Sequence, residues 1–147
     1  LISMDVTDFG AGGQADLARL VSIYRKKTAG KLVIACGSMA SFVCWSLAKD
    51  KRYGKSVDGF IFLSGFPDPT YLETGKLQVM GHKPAFYFAH GGRDNIYSWR
   101  YVRRYSNALR RKVRGYPIKY AVYKGGGHGA PVRMINWKSA LGWIAKQ

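Results

Sequence analysis

Three short segments hold the side chains with which this chain could attack a carbonyl: Cys36-Gly37-Ser38-Met39-Ala40, His90-Gly91-Gly92-Arg93-Asp94 and Gly125-Gly126-Gly127-His128-Gly129. A serine with small neighbours fits a tight strand-to-helix turn that projects its hydroxyl and leaves backbone N–H groups free beside it. A plain helix cap is the competing role for Ser38. A carboxylate at Asp94 can orient an imidazole without itself taking the proton, although as a turn residue it needs no such role. Glycines around His128 let a loop bring the imidazole up to a nucleophile, whereas a lone loop histidine is otherwise a solvated side chain. The other two histidines, His82 and His90, lack that setting. The chain order Ser, acid, His, with each member after its own strand, ties the three together more strongly than any one does alone.

Positioning such a set requires strands that end at one edge of a sheet, and the hydropathy pattern supplies them. LISMD at the start reads as a strand, followed by the glycine-rich turn FGAGG. From Gln14 to Lys27, Leu17, Leu20, Val21 and Tyr24 recur with helical period, and Arg25-Lys26-Lys27 ahead of Gly30 suits a helix C-terminus. KLVIAC (31–36) is nearly continuous in apolar residues, as expected of a strand buried on both faces. A mostly apolar helix follows, to near Asp50. VDGFIFLSG (57–65) and KPAFYFAH (83–90) are the next buried strands. Only about seventeen residues separate them, too few for a large inserted cap. The stretch from Phe66 to His82, with Tyr71, Leu72 and Met80, is expected to form part of a substrate wall. A helix over 98–113 carries Trp99, Val102, Leu109 and Val113 on one stripe, and PIKYAVY (117–123) is a last strand. One closing helix is expected over 132–146, with Val132, Ile135, Leu141 and Ile144 inward. This alternation predicts the α/β class: a mostly parallel sheet with helices on both faces, in one domain over residues 1–147. Ligands of such sheets bind at the carboxyl ends of the strands, which is where the three segments lie.

Over nearly the whole chain these segments resemble the α/β-hydrolase superfamily, in particular its esterases, lipases and peptidases without a large cap. LISMDVTDFGAG resembles the family's strand and loop of the form apolar-Asp-x-x-Gly-Phe-Gly, with Thr-Asp replacing Pro-Gly. CGSMA stands at the nucleophile elbow, commonly Gly-x-Ser-x-Gly, with Cys36 and Ala40 in place of the glycines. KPAFYFAHGGRDNIYS resembles the segment that carries the acid, and YKGGGHG the histidine loop. The resemblance implies Ser38 as nucleophile, Asp94 as acid, His128 as base and the Met39 backbone N–H as one oxyanion-hole donor. It implies hydrolysis of a carboxylic ester, thioester or amide through an acyl-enzyme, with no cofactor or metal. The family's sheet starts with further strands ahead of the LISMD position, so the domain is expected to be incomplete at its N-terminus. Those strands bring the loop with the second oxyanion donor, which is therefore unassigned.

Charge is the unusual feature of the composition. The 147 residues carry 24 Lys and Arg against 8 Asp and Glu, a net +16, and no acidic residue follows Asp94. The apolar fraction of 47% excludes a disordered chain, and no apolar run approaches a membrane span. Such a charge attracts polyanions. The helix after Asp94 concentrates it in Arg100, Arg103, Arg104, Arg110, Arg111, Lys112 and Arg114. These form either a solvated outer face or a surface for phospholipid headgroups or an acidic polymer. No nucleic-acid motif is present, so specific nucleic-acid recognition is not expected. A non-catalytic module that binds an anionic partner is the alternative to a hydrolase. Cys36, in a strand, and Cys44, in the next helix, have no obvious reason to meet and are expected as buried free thiols. That favours a reducing, cytoplasmic setting, as does the absence of a secretory pattern in LISMD.

Overall fold

The computed structural model describes residues 13–73 and 82–147. The expected strand LISMD, the motif built on it and Met80 lie outside the described residues. The elements are α1 (Gly13–Lys27), β1 (Val33–Gly37), a 3-10 turn (Ser38–Ala40), α2 (Ser41–Lys49), β2 (Gly59–Leu63), α3 (Pro69–Glu73), β3 (Ala85–Gly91), α4 (Trp99–Lys112), β4 (Ile118–Tyr123), α5 (Ala130–Met134) and α6 (Trp137–Ala145). The four strands form one sheet in the order β1-β2-β3-β4, every pair parallel. Right-handed crossovers that advance one strand at a time keep their helices on one face, so α2 and α4 share a side. Beyond β4 the chain crosses over, and α6 covers the other side.

Two apolar layers result. The larger joins Ala18 and Val21 of α1, Cys44, Trp45 and Leu47 of α2, and Val102, Tyr105 and Leu109 of α4 to one face of the sheet. The smaller packs Ile135, Ala140 and Ile144 against Ile61, Leu63, Ala85, Tyr87 and Ala89 on the opposite face. All of β2 and β3 is buried, which explains their unbroken apolar runs. Trp45 sits at the centre of the larger layer, stacked 4.8 Å from Phe62 and edge-on 4.9 Å from Phe86. Its indole N–H donates to the Phe66 carbonyl at 2.8 Å, so the ring is buried without an orphaned donor. On α4, the Ser98 hydroxyl caps the N-terminus by accepting from the Arg100 N–H, and Arg110, Arg111 and Lys112 lie in the last turn, where the helix dipole favours cations.

Several expectations need correction. β1 is the edge of the described sheet, with Ala35 exposed, and is not buried on both faces. Tyr24 of α1 is exposed, because the helix turns Ala18 and Val21 inward instead. The closing helix is two helices. Asn136 takes an extended conformation (ψ 93°) and its side chain accepts from the Ser139 N–H, capping α6 afresh, while Ile135 drops into the core. The break resets the helical phase for Leu141, which is 43% exposed, and Val132 on the short helix before it is 59% exposed, where both were expected inward. Tyr71 lies in the core and not on a substrate wall: it is buried, and its hydroxyl meets that of Tyr116 at 2.9 Å. Cys36 and Cys44 are not free thiols but are joined, with their Cα atoms 6.6 Å apart. The tight turn at Ser38 folds α2 back over the end of β1 and brings the two side chains together, which removes the ground for a reducing compartment. Among the described residues no helix is long and apolar enough to cross a membrane.

Candidate active site

The strand register sets up the site. Gly37 pairs with Leu63, Leu63 with Ala89, and Ala89 with Ala121, so the carboxyl ends of all four strands are level. The next residues in that row are Ser38, Ser64, His90 and Val122. Ser38 and Ser64 both have positive φ, 46° and 49°. A non-glycine residue in that region is strained, and such strain concentrates where a side chain must be presented. Neither the 3-10 turn nor α2 has a side-chain cap. The Ser38 hydroxyl meets His128 Nε2 at 2.7 Å instead, which decides against the capping role.

The other ring nitrogen, His128 Nδ1, lies 2.9 Å from Asp94 Oδ2. Asp94 Oδ1 accepts from the backbone N–H groups of Ile96 at 2.9 Å and Tyr97 at 3.0 Å. The three residues singled out from sequence therefore form one continuous chain of hydrogen bonds, contributed by three different strand ends. The Asp94 side chain is fully buried and that of His128 is 23% exposed, so the chain runs outward from a shielded carboxylate to an accessible hydroxyl. Burial works to raise the Asp94 pKa. The Tyr97 N–H, the His128 ring and the Ile96 N–H together outweigh it and hold the carboxyl below its ordinary 3.8. An ionised Asp94 can only accept a hydrogen bond, so it favours the tautomer with the proton on Nδ1, in which Nε2 accepts from the serine hydroxyl.

Backbone contacts hold the two loops in register. The Gly92 N–H donates to the Tyr123 carbonyl at 2.7 Å and the Arg93 N–H to the Gly126 carbonyl at 2.9 Å. A Cβ on Gly91 would overlap the carbonyl oxygens of Gly126 and Gly127, so glycine is required where the acid strand passes the histidine loop. Ser64 adds a third tie, its hydroxyl donating to the backbone carbonyl of His128. In the sequence, Ser64 is marked only by a small polar pair, Ser64-Gly65, at the end of a strand. Tyr97, which carries no such signal, packs its ring 5.6 Å from that of His128. His90 is buried beside the set, with neither ring nitrogen hydrogen-bonded among the described residues. Desolvation pushes its pKa down to about 4, opposed by Asp94 and by the nearby Gly65 backbone, which lies outside good hydrogen-bond geometry, and aided by His128. His82 lies elsewhere, bonded to the Val57 carbonyl. No cluster of metal-ligating side chains occurs among the described residues.

Comparison with protein-family models and with curated proteins gives no match. Solved structures do match. The chain is similar to Zea mays acyl-protein thioesterase 2 (TM-score 0.55, 16% identity, 91% of this chain and 62% of that one). It is similar to the Thermus thermophilus protein TT1662 (TM-score 0.63, 18% identity, 91% and 63%) and to a thermostable esterase (TM-score 0.64, 16% identity, 90% and 37%). The chain thus spans less than two thirds of the length of each of these structures. At such identities the likeness carries the fold, which is that of the α/β-hydrolases.

Proposed function

We propose that the protein is a serine hydrolase that cleaves a carboxylic ester, or chemically a thioester or amide, through Ser38, His128 and Asp94. The observation that carries this reading is the unbroken Ser38–His128–Asp94 hydrogen-bond chain, at 2.7 and 2.9 Å, on three level strand ends. His128 Nε2 takes the hydroxyl proton as Ser38 Oγ bonds to the carbonyl carbon. The Met39 N–H, next along the strained turn, serves in this reading as a donor to the developing oxyanion. Asp94, kept ionised, stabilises the imidazolium, which then protonates the leaving group. Water, deprotonated by the same imidazole, releases the acyl group. Thioesterase and esterase neighbours of the same fold support this class of reaction.

Labelling with a fluorophosphonate probe, together with hydrolysis of p-nitrophenyl esters, tests the proposal. Ser38→Ala should abolish labelling and lower turnover by about a million-fold, to background, with the fold retained. Asp94→Asn should cost about 10⁴-fold, because the imidazole takes the wrong tautomer. Labelling of the wild type that survives Ser38→Ala would overturn the assignment.

A second reading, from a different class, is a module that binds an anionic partner through α4. It is favoured by the placement of Arg100, Arg103, Arg104, Arg110 and Arg111, all on the exposed side of that helix. Arg100 and Arg103 flank the Trp99 ring at 5.3 and 5.5 Å, and none of the five forms an ion pair among the described residues. Salt-sensitive attachment to anionic vesicles, without probe labelling, is its signature.

A further inference from the structure

A groove of about 450 Å³ is lined by Tyr97, whose ring packs against His128, and its lining among the described residues contains no charged side chain. That size is in the range of small-molecule sites. Phe66 is part of its lining, and its ring meets Phe42 at 4.4 Å and Tyr97 at 5.4 Å. Tyr97 in turn packs 5.6 Å from the His128 ring, so a row of rings runs from the base outward along the groove. Phe42 stands in the first turn of α2, one turn beyond Ser38. Ile96 and Tyr101 line the groove from the acid loop and from α4. Phe42, Ile96 and Tyr101 are 61%, 60% and 47% exposed, an unusual display of large apolar side chains next to a polar site.

We infer that this groove holds the apolar acyl part of the ester, and that Phe42 and Ile96 set the preference for acyl length. The inference rests on the hydrolase reading above and goes on to name the substrate class. Its walls offer an alkyl chain burial against aromatic and aliphatic surface. They offer a carboxylate inside the groove no cationic partner, so a chain ending in an acid would lose its hydration without compensation. The carbonyl end of a chain lying along Phe66 and Tyr97 arrives beside the His128 ring, where the ring row ends and where the Ser38 hydroxyl is hydrogen-bonded.

The test measures kcat/KM over p-nitrophenyl acetate, butyrate, hexanoate and octanoate for the wild type, Phe42→Ala and Ile96→Ala. Both side chains are mostly exposed, so neither substitution removes core packing. The wild type should favour octanoate over acetate by about tenfold or more, and each substitution should cut that ratio about tenfold. A ratio that is flat across the series, in protein whose Ser38 reacts with fluorophosphonate, overturns the groove assignment and leaves the hydrolase reading intact. If Ser38 does not react at all, calorimetric titration with the uncharged ester methyl octanoate decides the groove by itself. Binding that is weakened by Phe42→Ala upholds it, and no binding overturns it.

Discussion

At the scale of single residues, the histidine outside the hydrogen-bond chain makes the clearest prediction. His90 is 1% exposed, one position beyond Ala89 in the row that ends at Ser38, and Asp94 and His128 are the ionisable groups that act on it. Its pKa falls from 6.5 to about 4 on folding. Between those values the unfolded chain binds a proton that the folded protein does not. Stability is therefore full above pH 6.5, declines as pH falls from 6.5 to about 4, and the accumulated loss is roughly 3 kcal/mol. His90→Gln should flatten urea-denaturation stability across that window; an unchanged slope would place the proton uptake elsewhere. Asp94 acts in a different range. Its carboxyl is held below 3.8, so its stabilisation is present above that value and lost only as pH falls beneath it.

At the scale of elements, the active site depends on how closely β3 and the loop after β4 approach. Gly91 has no room for a methyl group, because the Gly126 and Gly127 carbonyls occupy the position, whereas Gly125 has nothing within 4 Å. Gly91→Ala should cost about 1–3 kcal/mol of stability, as overpacking does. By moving the His128 loop off Asp94, it should also slow fluorophosphonate labelling about 100-fold. Gly125→Ala should stay within about 0.5 kcal/mol of wild type. Equal effects of the two substitutions would show that the contact between loops is not what aligns the histidine. The same dependence on close approach joins Cys36 to Cys44: the turn that strains Ser38 also folds α2 over β1.

At the scale of the whole molecule, an aromatic core coexists with a net charge of +16. Trp45, Phe62, Phe86 and Phe88 pack in one layer, and the Trp45 indole ties that layer to Phe66 in the groove lining. Charge stays outside it, and α4 divides the two: Val102, Tyr105 and Leu109 face inward while its arginines face water. Anionic vesicles should therefore bind the protein at low salt and release it as ionic strength rises. Arg103→Glu, Arg104→Glu and Arg111→Glu together should weaken that binding at least about 100-fold, at about 1 kcal/mol per cation removed from the surface. Binding that ignores both salt and the substitutions would mark α4 as a solvated face only.

The sequence by itself determined the α/β class, the approximate positions of the four described strands and the three residues of the hydrogen-bond chain. Buried parallel strands are written as apolar runs, and each of the three residues sits in a glycine-rich or small-residue segment just past such a run. Those signals are local, so they survive without any knowledge of packing. Features that depend on long-range contact were decided only by the tertiary structure. Whether Ser38 caps a helix or meets His128, ninety residues away, depends on strand register. Whether Cys36 reaches Cys44 depends on the angle of a turn, and whether Tyr71 lines a wall or fills the core depends on Tyr116, forty-five positions on. The inward face of the closing segment departs from the helical period because two extended residues, Ile135 and Asn136, reset the phase of everything after them. The groove was illegible for the same reason. Phe42, Phe66 and Ile96 belong to three separate segments, and only the level strand ends bring their side chains to one place.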